Sequence, residues 1–140
     1  MLKSYCLDTS ALLTFIQQED GEIIVKKILE EAEQKKSVVY ISFISLMETY
    51  YVIWKDKGEN TAKELLVLIE SLPIEQIHST PRITLSAGRL KANHRLSVAD
   101  AFIAATAIDT RSILVHKDPE LKIIAKYTET LELPYKISRN

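Results

Sequence analysis

Short, continuous apolar runs alternate along the chain with longer segments whose apolar residues recur at helical spacing. A continuous apolar run indicates a strand that is covered on both faces, because a half-exposed strand alternates apolar with polar residues. Such strands are predicted at residues 4–8, 38–42, 74–78, 112–116 and 135–137. Strands that alternate with helices predict the α/β class, here a three-layer α/β/α sandwich with a central parallel sheet of about four to five strands.

The predicted helices have identifiable start and stop residues. Ser10 is predicted to cap the first helix, Asp20 opens the second, and Pro81 and Ser97 begin two later ones. Further helices are predicted at residues 43–55, 60–71 and 119–126. Because no repeat, low-complexity tract or linker interrupts the 140 residues, they are expected to form a single domain spanning residues 1–140.

Composition excludes several classes of protein. The hydrophobic fraction of 46% and the charged fraction of 26% are ordinary for a globular protein. Cys6 is the only cysteine, so no disulfide can form within the chain, which suits a cytoplasmic location. The most apolar segment, residues 37–54, contains Glu48, and a charge at a bilayer centre is costly, so no membrane span is expected. The net charge of −1 excludes a global positive field but not a local basic patch.

Four acidic residues stand out by their positions. Asp8 and Asp118 follow predicted strands, whereas Glu48 and Asp100 lie in helices that are otherwise apolar. Each has a purely structural interpretation when it is taken singly. Asp8 and Asp118 suit helix N-caps, and Glu48 and Asp100 each follow a serine at the spacing of a capping box.

Taken together, the four acids favour a metal site. A lone carboxylate among apolar residues is costly unless it is paired or bound to a cation, and neither Glu48 nor Asp100 has a lysine or arginine within one helical turn. Convergence is expected at the edge where parallel strands end. An oxygen-only set selects Mg²⁺ or Mn²⁺, whereas the scattered histidines and the single cysteine argue against zinc. Such ions suit phosphodiester hydrolysis, since they activate water and stabilise the attacking and leaving oxygens.

At these residues the chain resembles the PIN-domain family, in particular the VapC-like ribonucleases that are toxins of toxin–antitoxin pairs. The resemblance covers essentially the whole chain and lies in YCLDTSALL, the Glu48 helix, LSVADAFIAATA and SILVHKDPEL. It implies metal-dependent endonucleolytic cleavage of RNA, a homodimer and, for toxins, inhibition by a protein antitoxin. It also implies that one or two Mg²⁺ or Mn²⁺ ions are held by the candidate catalytic residues Asp8, Glu48, Asp100 and Asp118.

The resemblance implies roles for neighbouring residues as well. Thr9, Ser10 and His116 become candidate contacts to the acidic residues or to the substrate, with the N-cap role still open for Ser10. His116 stands where many family members have threonine. Glu120 is either an accessory ligand or only a first-turn helix acid that faces solvent, and the second interpretation is favoured. A basic run becomes a candidate RNA-binding surface formed by Arg89, Lys91 and Arg95.

Other classes of protein fit the sequence less well. A receiver domain would need adjacent acids after its first strand, and a dehalogenase-like phosphatase would need an aspartate two residues after Asp8, where Ser10 stands. A non-catalytic PIN-like module that binds RNA or a protein is the alternative to an active enzyme. An inert scaffold, however, has little reason to keep four carboxylates in costly positions.

Overall fold

Strands and helices alternate throughout the part of the chain that the computed structural model describes, residues 2–134. The elements in chain order are β1 (Lys3–Leu7), α1 (Thr9–Ile16), α2 (Glu22–Glu33), β2 (Ser37–Ser42), α3 (Phe43–Lys57), α4 (Glu59–Glu70), β3 (Glu75–Ile77), α5 (Pro81–Asn93), α6 (Val98–Asp109), β4 (Ile113–His116), a 3₁₀ helix (Pro119–Lys126) and β5 (Thr130–Glu132). The predicted α/β class is confirmed.

The described strands form one parallel sheet with the order β3-β2-β1-β4-β5. β1 lies at its centre, where Leu7 is in register with Ile41 of β2 on one side and with Val115 of β4 on the other. After β1, the chain therefore adds β2 and β3 on one side of this strand and then β4 and β5 on the other side. This change of direction opens a crevice at the carboxyl ends of β1 and β4, which is where ligands bind in open α/β sheets.

Helices cover both faces of the sheet, as the continuous apolar strands predict. Cys6 of β1 and Leu114 of β4 belong to a buried cluster with residues of α5, α6 and the 3₁₀ helix. Leu7 and Val115, one position further along each strand, belong to a second cluster with residues of α1, α2 and α4. Successive strand residues thus feed two separate cores, and the result is the predicted three-layer sandwich. Within residues 2–134, none of the helices has the length and apolar character needed to cross a bilayer.

The end of the chain differs from the prediction. The last described strand is Thr130–Glu132, which pairs with β4. The strand predicted at residues 135–137 lies outside the described residues. The segment after Asp118 has the predicted boundaries but forms a 3₁₀ helix rather than an α-helix.

Candidate metal centre

The crevice between β1 and β4 is surrounded by the elements that carry the four acidic residues. Asp8 immediately follows β1, and Asp118 follows β4 after one intervening residue. Glu48 lies on α3, which packs against both α1 and α6. Asp100 lies in the first turn of α6. The topology therefore brings residues that are far apart in sequence to one edge of the sheet.

Asp8 caps α1 and is almost completely buried, with 2% of its surface exposed. Its Oδ1 accepts the backbone N–H of Ala11 at 2.7 Å, and the Ser10 hydroxyl donates to Oδ1 and Oδ2 at 2.7 and 2.8 Å. Burial raises the pKa of Asp8 to about 7 although these hydrogen bonds lower it, and the charges of Asp100 and Asp118 raise it further. Asp8 is therefore a buried carboxylate whose ionised form is only partly compensated by the chain.

The predicted N-cap role of Ser10 is wrong, because Asp8 occupies that position. Ser10 instead links the two strand ends. Its hydroxyl donates to Asp8 and accepts the backbone N–H of Lys117, which lies just beyond β4, at 3.0 Å. The Ser10 hydroxyl thus holds the Asp8 carboxylate at a fixed place relative to the segment that carries Asp118.

Glu48 is fixed from the opposite side of the crevice. Ser42 caps α3, so the capping-box interpretation of Glu48 is wrong and its side chain is free for another role. The Thr9 hydroxyl, buried beside Asp8, donates to Glu48 Oε1 at 2.6 Å and lies 3.1 Å from Ser45 Oγ. Thr9 therefore orients one carboxylate oxygen of Glu48 from the first turn of α1.

Asp100, Asp118 and Glu120 form the most open part of the cluster, with one carboxylate oxygen from each lying within 4.8 Å of the others. Burial raises the pKa of Asp100 to about 6, and the charges of Asp118 and Glu48 raise it further. The cap predictions hold here: Ser97 accepts the Asp100 N–H at 3.1 Å, and Asp118 accepts the Glu120 N–H at 2.9 Å. The Ser97 bond fixes the backbone of Asp100, whereas in the second cap the Asp118 carboxylate itself accepts the bond.

The structure favours the accessory-ligand alternative for Glu120 over the interpretation preferred from the sequence. Glu120 is exposed and lies in the first turn of the 3₁₀ helix, as expected, but its carboxylate faces Asp100 and Asp118. The spacing of Asp118 and Glu120, two residues apart just after a strand, was the available signal. A tight 3₁₀ turn can direct both side chains toward the same crevice.

No cation of the described chain neutralises this cluster. The ion pairs within residues 2–134 join Lys63 to Glu59, Arg82 to Asp109, Lys117 to Glu19 and Lys122 to Glu132. Even Lys117, which directly precedes Asp118, turns away, and its ammonium donates to the Asp20 carbonyl at 2.6 Å. Converging carboxylates that lack a protein cation fit a hard divalent ion such as Mg²⁺ or Mn²⁺.

His116 is buried at the end of β4, with 1% of its surface exposed. Its Nδ1 accepts the backbone N–H of Asp118 at 3.2 Å, and burial lowers its pKa. A neutral imidazole that accepts through Nδ1 carries its proton on Nε2. His116 thus fixes the backbone of Asp118. Its side chain is not part of the group that lies within metal-binding distance, which consists of Asp100, Asp118 and Glu120.

The three predicted RNA-binding residues lie in two places. Lys91 and Arg95 line a cavity of about 360 Å³ together with Glu120. Arg89 lines a different groove with Arg82. Arg89 and Lys91 are two positions apart on α5, and residues with this spacing face different sides of a helix. Only Lys91 and Arg95 therefore adjoin the acidic cluster.

A family comparison agrees with this architecture. The model of the PIN domain family matches residues 5–127, a span that includes all four acidic positions. The chain therefore belongs to the PIN domain family. The receiver and dehalogenase-like alternatives are thereby wrong. Among curated proteins, no sequence matches this chain significantly.

Several solved structures share the fold. A chain in the structure of VapBC2 from Rickettsia felis, bound to a promoter DNA fragment, has a TM-score of 0.76 and 22% identity, over 94% of this chain and 99% of that one. A chain in the structure of VapBC from Salmonella typhimurium, also bound to DNA, has a TM-score of 0.73 and 19% identity, over 94% of this chain and 98% of that one. VapC20 from Mycobacterium tuberculosis, described as a sarcin-ricin loop cleaving toxin, has a TM-score of 0.66 and 19% identity, over 93% of this chain and 99% of that one.

Proposed function

We propose that this chain is a metal-dependent endoribonuclease that hydrolyses RNA phosphodiester bonds and acts as the toxin of a toxin–antitoxin pair. The observation that carries the proposal is the placement of Asp8, Glu48, Asp100 and Asp118 around one crevice, where burial and their charges raise the pKa values of Asp8 and Asp100 and no ion pair within residues 2–134 involves any of the four. PIN domains are generally nucleases, and three solved neighbours are described as VapBC complexes or as a cleaving toxin.

In this mechanism Asp100, Asp118 and Glu120, whose carboxylate oxygens lie within 4.8 Å of one another, would hold a Mg²⁺ or Mn²⁺ ion, and Asp8 and Glu48 would complete the site or hold a second ion. When bound, such an ion activates water and stabilises charge on the attacking and leaving oxygens of the phosphodiester. The chain's own groups position the ligands: the Ser10 hydroxyl fixes Asp8, and the Thr9 hydroxyl fixes Glu48. Lys91 and Arg95 neutralise substrate phosphates that would otherwise be repelled by the acidic crevice. Hydrolysis adds water across the bond between phosphorus and the leaving oxygen.

The proposal includes partners and location. An antitoxin protein is proposed because a chain of similar fold occurs in a structure described as a toxin–antitoxin complex from Klebsiella pneumoniae. A homodimer is proposed from the exposed apolar side chains Met47, Tyr51 and Trp54, which follow one another at helical spacing along α3. Light scattering that gives only a monomer would contradict the dimer. We place the protein in the cytoplasm, where RNA and a reduced Cys6 are expected together.

The test is cleavage of a mixed pool of structured and single-stranded RNA by the purified chain. The reaction is run with Mn²⁺, with Mg²⁺ and with a chelator, and new RNA ends are mapped by sequencing. Internal cuts that require the divalent ion support the proposal. RNA binding without any metal-dependent cut would instead favour the non-catalytic PIN-like module.

Removing the Thr9 hydroxyl is expected to weaken metal binding. The Thr9→Val variant keeps the shape of the side chain but cannot donate to Glu48, so Mn²⁺ affinity should fall about tenfold, as it does when a group that orients a metal ligand is lost. Isothermal titration calorimetry gives the affinity. Thr106→Val is the matched control, because Thr106 is equally buried and its hydroxyl bonds only to the Phe102 carbonyl within α6. Equal affinities in the two variants would contradict the orienting role.

Neutralising Glu120 is expected to have a moderate effect on the same affinity. Glu120→Gln should weaken Mn²⁺ binding by about three- to tenfold, because ligand charge tunes the affinity of oxygen sites for divalent ions. Glu129→Gln removes the same charge from an exposed position outside the acidic cluster and controls for net charge. If both variants bind Mn²⁺ like the wild type, Glu120 is only a first-turn helix acid.

A further inference from the structure

His94 and Tyr127 form an aromatic pair that has no part in the proposed metal chemistry. His94 is the C-cap of α5, and Tyr127 is the C-cap of the 3₁₀ helix. His94 Nε2 and the Tyr127 hydroxyl are 2.5 Å apart, and the two rings meet edge to face with centroids 5.6 Å apart. Tyr127 is nonetheless 47% exposed. The pair is thus held in a defined geometry while much of the tyrosine stays open to solvent.

His94 also lines the open cavity of about 360 Å³ next to the acidic cluster, and Tyr127, which is not itself a lining residue, adjoins this cavity through its contact with His94. One part of this cavity is cationic, since Lys91 and Arg95 line it, and another is acidic, since Glu120 lines it. The Lys91 ammonium is anchored by donating to the Leu96 carbonyl at 3.0 Å. The volume lies at the lower end of the range for small-ligand sites, about 300–1,000 Å³. The cavity therefore suits a ligand the size of one nucleotide.

A fixed aromatic ring beside cations is the combination that binds single-stranded nucleic acid. Bases stack on the ring, and phosphates contact the basic side chains. Duplex RNA does not offer unstacked bases and is recognised by shape and backbone instead. Glu120 determines which end of the cavity can accept a phosphate, because its carboxylate repels a phosphate unless a cation is bound between them. The phosphate away from the metal centre therefore belongs at Lys91 and Arg95.

We propose that Tyr127, His94, Lys91 and Arg95 form a subsite for the nucleotide next to the scissile phosphate in single-stranded RNA. The base of this nucleotide stacks on Tyr127, the His94 hydrogen bond sets the angle of the ring, and Arg95 with Lys91 contacts the phosphate. This inference rests on the proposed nuclease function and adds to it the residues that hold the neighbouring nucleotide. It also assigns Tyr127 as a residue that can discriminate between bases by their stacking.

The experiment measures equilibrium binding of a ten-nucleotide single-stranded RNA to the full chain by fluorescence anisotropy, with chelator present so that nothing is cut. Tyr127→Ala should weaken binding about tenfold, whereas Tyr127→Phe, which keeps the ring, should stay within about threefold of the wild type. Arg95→Ala should weaken binding and reduce the slope of log K against log salt by about 0.7. Arg82→Ala, at the other end of α5, controls for loss of one positive charge.

Three results would overturn the subsite. The first is wild-type affinity in both Tyr127→Ala and Arg95→Ala. The second is equal weakening in Tyr127→Ala and Tyr127→Phe, which would mean that the hydroxyl serves only to tie the 3₁₀ helix to α5. The third is duplex RNA that binds as tightly and with the same sensitivity to Tyr127→Ala. Metal-dependent cleavage by the wild type in the separate assay would, in each case, leave the nuclease function standing, whereas its absence would remove both.

Discussion

Asp8→Asn is expected to reduce metal-dependent RNA cleavage by at least about a hundredfold while the chain remains folded. The carboxylate is buried at the carboxyl end of β1, where the charges of Asp100 and Asp118 act on it. Its loss removes a charge that would hold the divalent ion, whose contribution to transition-state stabilisation is several kcal/mol. Asparagine has the same shape and is an equally good N-cap, so α1 should keep the hydrogen bond from Ala11. The measurement is the cleavage rate of a fixed RNA with Mn²⁺, with folding checked by circular dichroism.

Asp56→Asn is the matched control for this variant. Asp56 lies exposed on α3, the helix that also carries Glu48, and its replacement makes the same change in charge and size. Its cleavage rate should equal that of the wild type. Cleavage by Asp8→Asn at within about tenfold of the wild-type rate would show that Asp8 is only a helix cap. The observed cleavage would then have to depend on the remaining acidic residues of the chain.

The strands and the positions of Asp8 and Asp118 could be predicted from the sequence because they follow from local pattern and direction. A continuous apolar run that ends in an acid predicts a covered strand with a polar residue at its end. Parallel strands end at one edge, so two such acids converge without any knowledge of side-chain packing. The position of Glu48 beside these acids does not follow from local pattern, because it depends on how α3 packs against α1 and α6.

The wrong predictions came from places where several residues could fill one role. In Asp8-Thr9-Ser10 both the aspartate and the serine can cap a helix, and the turn after β1 selected the aspartate. β5 was not predicted, because a short edge strand has little intrinsic preference of its own and its position is set by pairing with β4, whereas the strand predicted at residues 135–137 stays a prediction.

The basic run was treated as one surface, whereas the structure divides it between two places. Helical spacing alone separates Arg89 from Lys91, so the sequence contained the information that these two residues face different sides of α5. The pairing of His94 with Tyr127, by contrast, joins residues that are 33 positions apart, and no local pattern predicts it.

The second large effect concerns the pH dependence of stability without metal. Burial raises the pKa of Asp8 from its ordinary value of 3.8 to about 7 in the folded chain. Between these values the folded chain holds a proton that the unfolded chain has lost, so the free energy of unfolding falls as the pH rises from about 4 to 7. The loss for Asp8 amounts to about 4 kcal/mol, or on the order of 10 °C in Tm. Asp100, with its pKa raised to about 6, acts in the same direction.

His116 acts in the opposite direction, because its pKa is lowered on folding and its contribution to stability falls as the pH drops. The difference between the wild type and Asp8→Asn therefore isolates Asp8. In chelator, the variant should be the more stable of the two at pH 8 and show no advantage at pH 4. Thermal unfolding across this range gives both curves.

Adding Mn²⁺ at pH 8 should reverse the order of the two proteins. An ion that binds only the folded state stabilises it by an amount that grows with concentration, and that gain requires the Asp8 carboxylate to be ionised. The wild type should then exceed the variant in Tm, and its gain should shrink toward pH 5, where protons compete for the same carboxylates. If the Tm of the wild type does not change with Mn²⁺ at pH 8, the acidic cluster binds no ion and the folded chain is stable despite the repulsion between its carboxylates.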